Sequence, residues 1–420
     1  MHTLLSDSTT EPAFWLDSIR LSAVIIFTVT YLVIAFGKLP GFRLDRSGAA
    51  LLGASLMLGF NVLALEEAYK AIDFNTITLL LGMMIVVANL RLSGFFQLIN
   101  DHILLYARYP IVLLVGIVLS AGLFSAFLVN DTVCLVITPL VLNVVIRLKR
   151  NPIPYLLAIA MASNVGSTAT ITGNPQNMII GSLSHMHYGT FAKALSPVAG
   201  VGLIVTIILI ALVYRHEFIS LDRLNITRTK PTHYNKPMII KSLLITAAMV
   251  ILFFSGQAIA KIAIIGGAML LFTRRVKADK IYQEIDWPLL LMFAGLFIVI
   301  AGLEKTVLTD EIIAKVSHLH LETALTLSAV TAALSNIVSN VPAILVLKPF
   351  IANLHDPQRA WLIVSMASTL AGNLTLIGSV ANLIVAQQAL RQGITIGFWE
   401  YFKVGAPLTI LTIAFGIWWL

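Results

Sequence analysis

The chain has 420 residues, 58% of them hydrophobic and 11% charged, where soluble domains carry about 25% charged residues. With a mean hydropathy of +0.91, this composition excludes a soluble globular domain and makes the lipid bilayer the solvent and first partner. The net charge of +8 does not indicate a nucleic-acid partner, because the bases gather in short loops between apolar runs, where they report orientation.

Apolar runs long enough for helices to cross a bilayer fall at 21–37, 48–65, 76–93, 194–214, 238–256, 259–273, 288–303 and 403–420. The first twenty residues place acids before any base and lack a small-residue cleavage site, so the first run is expected to remain as a membrane helix. Lys38, Arg43 and Arg46, then Arg147, Lys149 and Arg150, the basic interval 215–241, and Arg274, Arg275, Lys277 and Lys280 mark cytoplasmic loops. With these loops inside, the N-terminus lies outside, and residues 110–147 begin and end on the cytoplasmic side. That stretch is interrupted by Val129-Asn130-Asp131-Thr132, so it is expected to be a re-entrant hairpin with its tip there.

Residues 153–184 form a span broken by a polar loop at 163–177, and 194–214 returns to the cytoplasm. Because the first half crosses the membrane five times, a second half built alike starts on the opposite side, and both termini lie outside. The expected organisation is an all-α polytopic membrane protein of two inverted repeats, each with about five spans, one hairpin and one broken helix. Residues 1–214 form the first repeat, 215–237 a basic cytoplasmic linker, and 238–420 the second, with its hairpin near 322–352 and its broken span near 360–390.

The duplication is visible in the residues themselves. MASNVGSTATITGNPQN, 161–177, aligns without a gap with MASTLAGNLTLIGSVAN, 366–382, at six identical positions of seventeen, among them Thr170/Thr375, Gly173/Gly378 and Asn177/Asn382. The hairpins align so that Asn130 meets Asn340, Leu135 meets Leu345, Val136 meets Val346 and Pro139 meets Pro349. Backbone groups freed at such breaks survive at membrane depth only when buried in protein or wet. Two tips and two broken spans converging near the midplane make one expected site.

The candidate ion- and substrate-binding residues are therefore Asn130, Asp131, Thr132, Ser163, Asn164, Ser167, Thr168, Thr170, Gly173 and Asn177 in the first half. Ser339, Asn340, Asn373, Thr375, Gly378 and Asn382 are their counterparts in the second, with Thr172, Ser368, Thr369 and Ser379 beside them. The alternative for any one hydroxyl is that it binds loose backbone or a neighbouring helix. Asp131 is singled out as the coupling group, because a carboxylate inside an apolar hairpin is costly and its repeat partner is Val341; the competing role is a helix cap. Lys348, matched by Thr138, either serves the cavity or snorkels to the interface. Arg91, Glu304 and Lys305 are placed at span ends.

The nine His form no H-x-x-x-H or Cys/His cluster, and the single Cys134 allows neither a disulfide nor a thiolate cluster, so no metal site is assigned. The chain has no GxxxxGK[ST] loop and no nucleophile elbow. It is not expected to be an enzyme, and transport would draw on a proton or sodium gradient rather than on a cofactor.

FLVNDTVCLVITPLVL followed by SNVGSTATITGNPQNMIIG, and SNVPAILVLKPF followed by LTLIGSVANLIV, resemble the ion-transporter superfamily of arsenical-pump permeases and divalent anion:sodium symporters. The Asn-Asp tip and the Asn-x-Pro tip look most like the arsenite/antimonite permease branch; the Ser-Asn-Thr signature of the sodium-coupled dicarboxylate members is not matched. The resemblance implies cation positions near Asn130, Gly173, Asn340 and Gly378, with a proton at Asp131 in place of a sodium ion. It further implies a bacterial inner-membrane location, a homodimer and, for arsenical pumps, a separate ATPase subunit docked on 215–241. The expected function is proton-coupled efflux of arsenite or antimonite by alternating access. An inorganic or carboxylate anion moved with H+ or Na+ is the alternative, and a passive channel a third.

Overall fold

In hydrocarbon the backbone must satisfy its own hydrogen bonds, which leaves helices for a chain with this run length. The computed structural model describes residues 11–36, 44–106, 108–218, 234–273, 276–306 and 320–420, and no strand occurs among them. Residues 219–233 of the expected linker lie outside the described residues, as do Lys38, Arg43, Arg274 and Arg275.

The first half comprises α1 (Glu11–Phe36), α2 (Arg46–Gly59), α3 (Leu65–Ala71), α4 (Phe74–Ser93), α5 (Phe95–Tyr106), α6 (Pro110–Phe127), α7 (Asn130–Arg147), α8 (Pro152–Ser167), α9 (Pro175–Ser184) and α10 (Tyr188–Val213). After the short α11 (Arg215–Phe218) come α12 (Lys236–Phe254), α13 (Ile259–Leu271), α14 (Ala278–Tyr282) and α15 (Trp287–Thr306). The second half closes with α16 (Ala324–Val338), α17 (Asn340–Ile351), α18 (Pro357–Ala371), α19 (Val380–Arg391) and α20 (Phe398–Trp419). Eight of the described helices are long and apolar enough to cross a membrane.

The halves are inverted repeats, and their packing repeats accordingly. α2 lies against α15 as α13 lies against α4, and α6 against α8 as α16 against α18, while α10 meets its own counterpart α20. Small residues allow these crossings. A Cβ on Gly82 would stand 2.4 Å from the Ala263 carbonyl carbon, and one on Gly295 2.7 Å from that of Ala50. Gly82 and Gly295 hold equivalent places in α4 and α15, as Ala50 and Ala263 do in α2 and α13. Such close backbone approach is how membrane helices gain packing without a hydrophobic drive between them.

The apolar run 48–65 does not form one span. Its helix stops at Gly59, because Asn61 adopts a left-handed φ of 54° and the Val62 and Leu63 N–H groups fold back onto the Met57 carbonyl at 2.9 and 3.3 Å. α13, its partner, is similarly short at 13 residues.

Candidate functional site

The hairpin tips differ in backbone. Leu128 and Val129 join α6 to α7 in extended conformation, with φ of −124° and −52°, whereas Ser339 alone joins α16 to α17 at φ 77° and ψ 160°. That region is essentially reserved for glycine, and holding a serine there costs about 1–3 kcal/mol.

The breaks are fastened by the duplicated asparagines. Asn177 Nδ2 donates to the carbonyls of Ser167 and Thr170, both at 3.0 Å; Asn382 Nδ2 donates to those of Gly372 and Thr375 at 2.7 and 3.2 Å. Each side chain thus satisfies two carbonyls that the interrupted helix leaves open. Gly173 lets the chain close: a Cβ there would sit 2.1 Å from the Ser167 oxygen. Gly378 is nearly as confined, 2.9 Å from Asn336 Oδ1 and 3.0 Å from the Gly372 oxygen.

Asn164, 1% exposed, joins the two halves. Its Nδ2 donates to Asn373 Oδ1 at 2.9 Å and Asn382 Oδ1 at 3.0 Å. Its Oδ1 accepts from Asn130 Nδ2 at 3.2 Å and Ser379 Oγ at 3.0 Å. The polarity of this chain is set at its far end. Carbonyls only accept, so Asn382 must present Nδ2 to them and Oδ1 to Asn164. Asn164 then donates to Asn382, and so accepts from Asn130. Asn130 Oδ1 is left facing away from the network, buried and without a hydrogen-bond partner among the described residues, as is Asn340 Oδ1 at the other tip.

Both tips border a cavity of about 50 Å³ lined by Arg46, Asn130, Asp131, Ser339, Asn340, Gln176 and Ser379, with Leu289, Met292 and Phe293 as an apolar wall. α7, α9, α17 and α19 all begin here, so four helix N-termini contribute partial positive charge. Asp131 is half-buried and makes no hydrogen bond or ion pair among the described residues. An unpartnered carboxylate, two unpartnered amide oxygens and two hydroxyls form an acceptor-rich surface.

The other expected residues are brought near but carry scaffold roles. Ser163 Oγ lies 2.8 Å from Ser125 Oγ and donates to the Asn130 carbonyl at 3.1 Å. Ser167 and Thr168 donate to the Asn164 carbonyl at 2.8 and 3.2 Å, and Thr170 donates to the Ala126 carbonyl. Asn373 Nδ2 donates to the Met161 carbonyl at 3.4 Å, and Thr375 to Asn336 Oδ1 at 3.4 Å. Thr132, half-buried on the first turn of α7, is not on the cavity wall. Lys348 pairs with Glu304 at 3.0 Å, Lys305 with Glu67 at 2.7 Å and Arg91 with Glu284. The Lys348 pair borders a separate cleft of about 470 Å³ with Lys70, Asp73 and His185.

Sequence reasoning missed Arg46, counted as a loop base, and Gln176. Only alignment of α2 with α13 singles Arg46 out, because both helices begin at these positions and the partner is Ile259.

A family model described as citrate transporter matches residues 31–362. The chain belongs to the citrate-transporter family. Its membership agrees with the ion-transporter resemblance of the hairpin and broken-span segments, and it makes the chain a multi-pass membrane transporter. The putative transporter arsB of Dictyostelium discoideum is 25% identical, covering 94% of this chain and 91% of its own. The silicon efflux transporter LSI3 of Oryza sativa subsp. japonica is 27% identical, covering 94% and 96%. Among solved structures, the Alcanivorax borkumensis YdaH transporter aligns with a TM-score of 0.62 over 96% of both chains at 13% identity, a likeness of fold. In this member of the citrate-transporter family, then, the duplicated segment builds the frame, and the tips with the starts of α9 and α19 build the cavity.

Proposed function

We propose that this transporter exports a small uncharged metalloid hydroxide, arsenite or antimonite in their trihydroxide form, in exchange for protons carried by Asp131. The observation that carries the reading is the buried, unpartnered Asn130 Oδ1, whose acceptor role the Asn164 network imposes. With Asp131 it favours a cargo that presents hydroxyl donors, while Asn340, whose amide is fixed by no hydrogen bond among the described residues, is free to turn either end to the cargo. An oxyanion would find donors in Arg46 and the helix N-termini but would set its acceptors against Asn130 Oδ1 and the Asp131 carboxylate, leaving those groups unpaired. Size points the same way: about 50 Å³ suits a solute of a few heavy atoms and is far below the ~300–1,000 Å³ of sites for larger ligands.

Asp131 supplies the coupling. A cargo hydroxyl donates to the ionised carboxylate, whereas a protonated carboxyl has given up part of that acceptor capacity. Proton and cargo therefore compete for one group, and competition at a site open to alternate sides is antiport. A bacterial inner membrane with both termini outside fits the loop bases.

A second reading, an inorganic or carboxylate anion taken with H+ or Na+, draws on Arg46 and the four helix N-termini. Arsenite uptake into everted vesicles from expressing cells, with and without a proton gradient, separates the two. The expected result is gradient-driven uptake in wild type and its loss in Asp131→Asn. Absence of arsenite movement under any gradient overturns the reading, sodium-dependent anion flux supports the second, and arsenite flux indifferent to collapse of the gradient indicates a channel.

A further inference from the structure

Arg46 and Asp131 are the two charged side chains on the cavity wall, and they come from different elements, α2 and α7. Neither has an ion-pair partner among the described residues, and they are not within 4.0 Å of each other. Asp45, beside Arg46, is engaged elsewhere: its carboxylate accepts from Gly48 N–H at 2.8 Å and from Ser47 Oγ at 2.9 Å. The repeat adds an independent observation. The position equivalent to Asp131 is Val341 and that equivalent to Arg46 is Ile259, so both charges are present in one half and both are apolar in the other. An uncompensated charge at membrane depth is costly, which gives the pair a reason to occur together.

We propose that Arg46 is the positioning counter-charge of Asp131, holding the cargo-loaded cavity electrically neutral so that cargo translocation is indifferent to membrane potential while the proton-loaded return carries the charge. This rests on the reading of the cavity as the cargo site. With cargo bound and Asp131 ionised, the guanidinium cancels the carboxylate; with Asp131 protonated, Arg46 leaves one positive charge to move. Asp286 is a second carboxylate that bears on Asp131; it caps α15 by accepting from Leu289 N–H at 3.1 Å and is not on the cavity wall, so it stands outside the charge count of the cavity itself. Of the helices packed on α7, α6 and α8 carry no charged side chain. α5 carries Asp101, bonded by Tyr234, and His102, and α19 ends in Arg391 at its far end.

The test is exchange of labelled for unlabelled arsenite in proteoliposomes of the full chain, at clamped potentials. Such exchange moves no net protons and reports the cargo-loaded step alone. Wild type and Arg46→Lys should show no dependence on potential. Arg46→Gln, whose loaded cavity carries the bare carboxylate, should change rate roughly threefold or more across 100 mV. A voltage-indifferent Arg46→Gln, or a voltage-sensitive Arg46→Lys, overturns the proposal. Should wild type carry no arsenite, the proposed function fails but the pair remains testable through Tm measured against pH. The Tm gap between wild type and Arg46→Gln should widen as pH rises and stay constant when Asp131→Asn is already present; a gap that is flat in both backgrounds overturns the pairing.

Discussion

Replacing Asn164 by leucine removes the hub that ties the first hairpin tip to the second broken span while keeping side-chain volume nearly constant. Four hydrogen bonds of 2.9 to 3.2 Å are lost, to Asn130, Asn373, Ser379 and Asn382. Interhelical hydrogen bonds in membranes average about 0.6 kcal/mol with a maximum near 1.7, so four of them set a range of about 2.5 to 7 kcal/mol. The upper part applies if the orphaned Asn373 and Asn382 oxygens stay dry, since both residues are fully buried; the lower part applies if water follows from the cavity. The assay is equilibrium unfolding in mixed micelles with increasing denaturing detergent, beside Asn373→Leu, which breaks only the bonds to Asn164 and to the Met161 carbonyl. Asn164→Leu should be the more destabilising, by at least about 1 kcal/mol. A loss below that of Asn373→Leu would refute the hub, and with it the fixed polarity of Asn130 on which the cargo assignment stands.

Gly82→Ala and Gly295→Ala should both destabilise, because each new methyl meets backbone, at 2.4 and 2.7 Å, and only separation of the helices relieves it; a thermal shift that leaves either variant at wild-type Tm refutes the equivalence of the two crossings. Ser339→Gly should stabilise the protein by about 1 kcal/mol, as relief of the positive φ outweighs the extra entropy lost by glycine. A lower Tm in Ser339→Gly would mean that the hydroxyl contributes more than the strain costs.

Much of the fold was legible because its determinants are local or periodic. Apolar runs of bilayer length and a gapless self-match at 161–177 and 366–382 specify helices and an inverted duplication without any contact being known. The run 48–65 was misjudged, since apolarity does not record the left-handed turn at Asn61 that ends the helix at Gly59.

The candidate site was only half legible, and Asn177 and Asn382 explain why. Identity between the copies marks what both breaks need, an amide that fastens two carbonyls, so the strongest sequence signal belonged to the frame. Residues that differ between the halves, Asp131 against Val341 and Arg46 against Ile259, border the cavity instead, and a self-alignment scores them as mismatches.

By itself the sequence determined the solvent, the helices, the twofold construction and the tip residues, because composition and repetition act along the chain. Only the tertiary structure decided which polar groups are consumed by the backbone and which remain open. Hydrogen-bond polarity passes from the carbonyls of residues 372 and 375 through Asn382 and Asn164 to Asn130, across segments more than two hundred residues apart, and no local pattern encodes a direction transmitted through space.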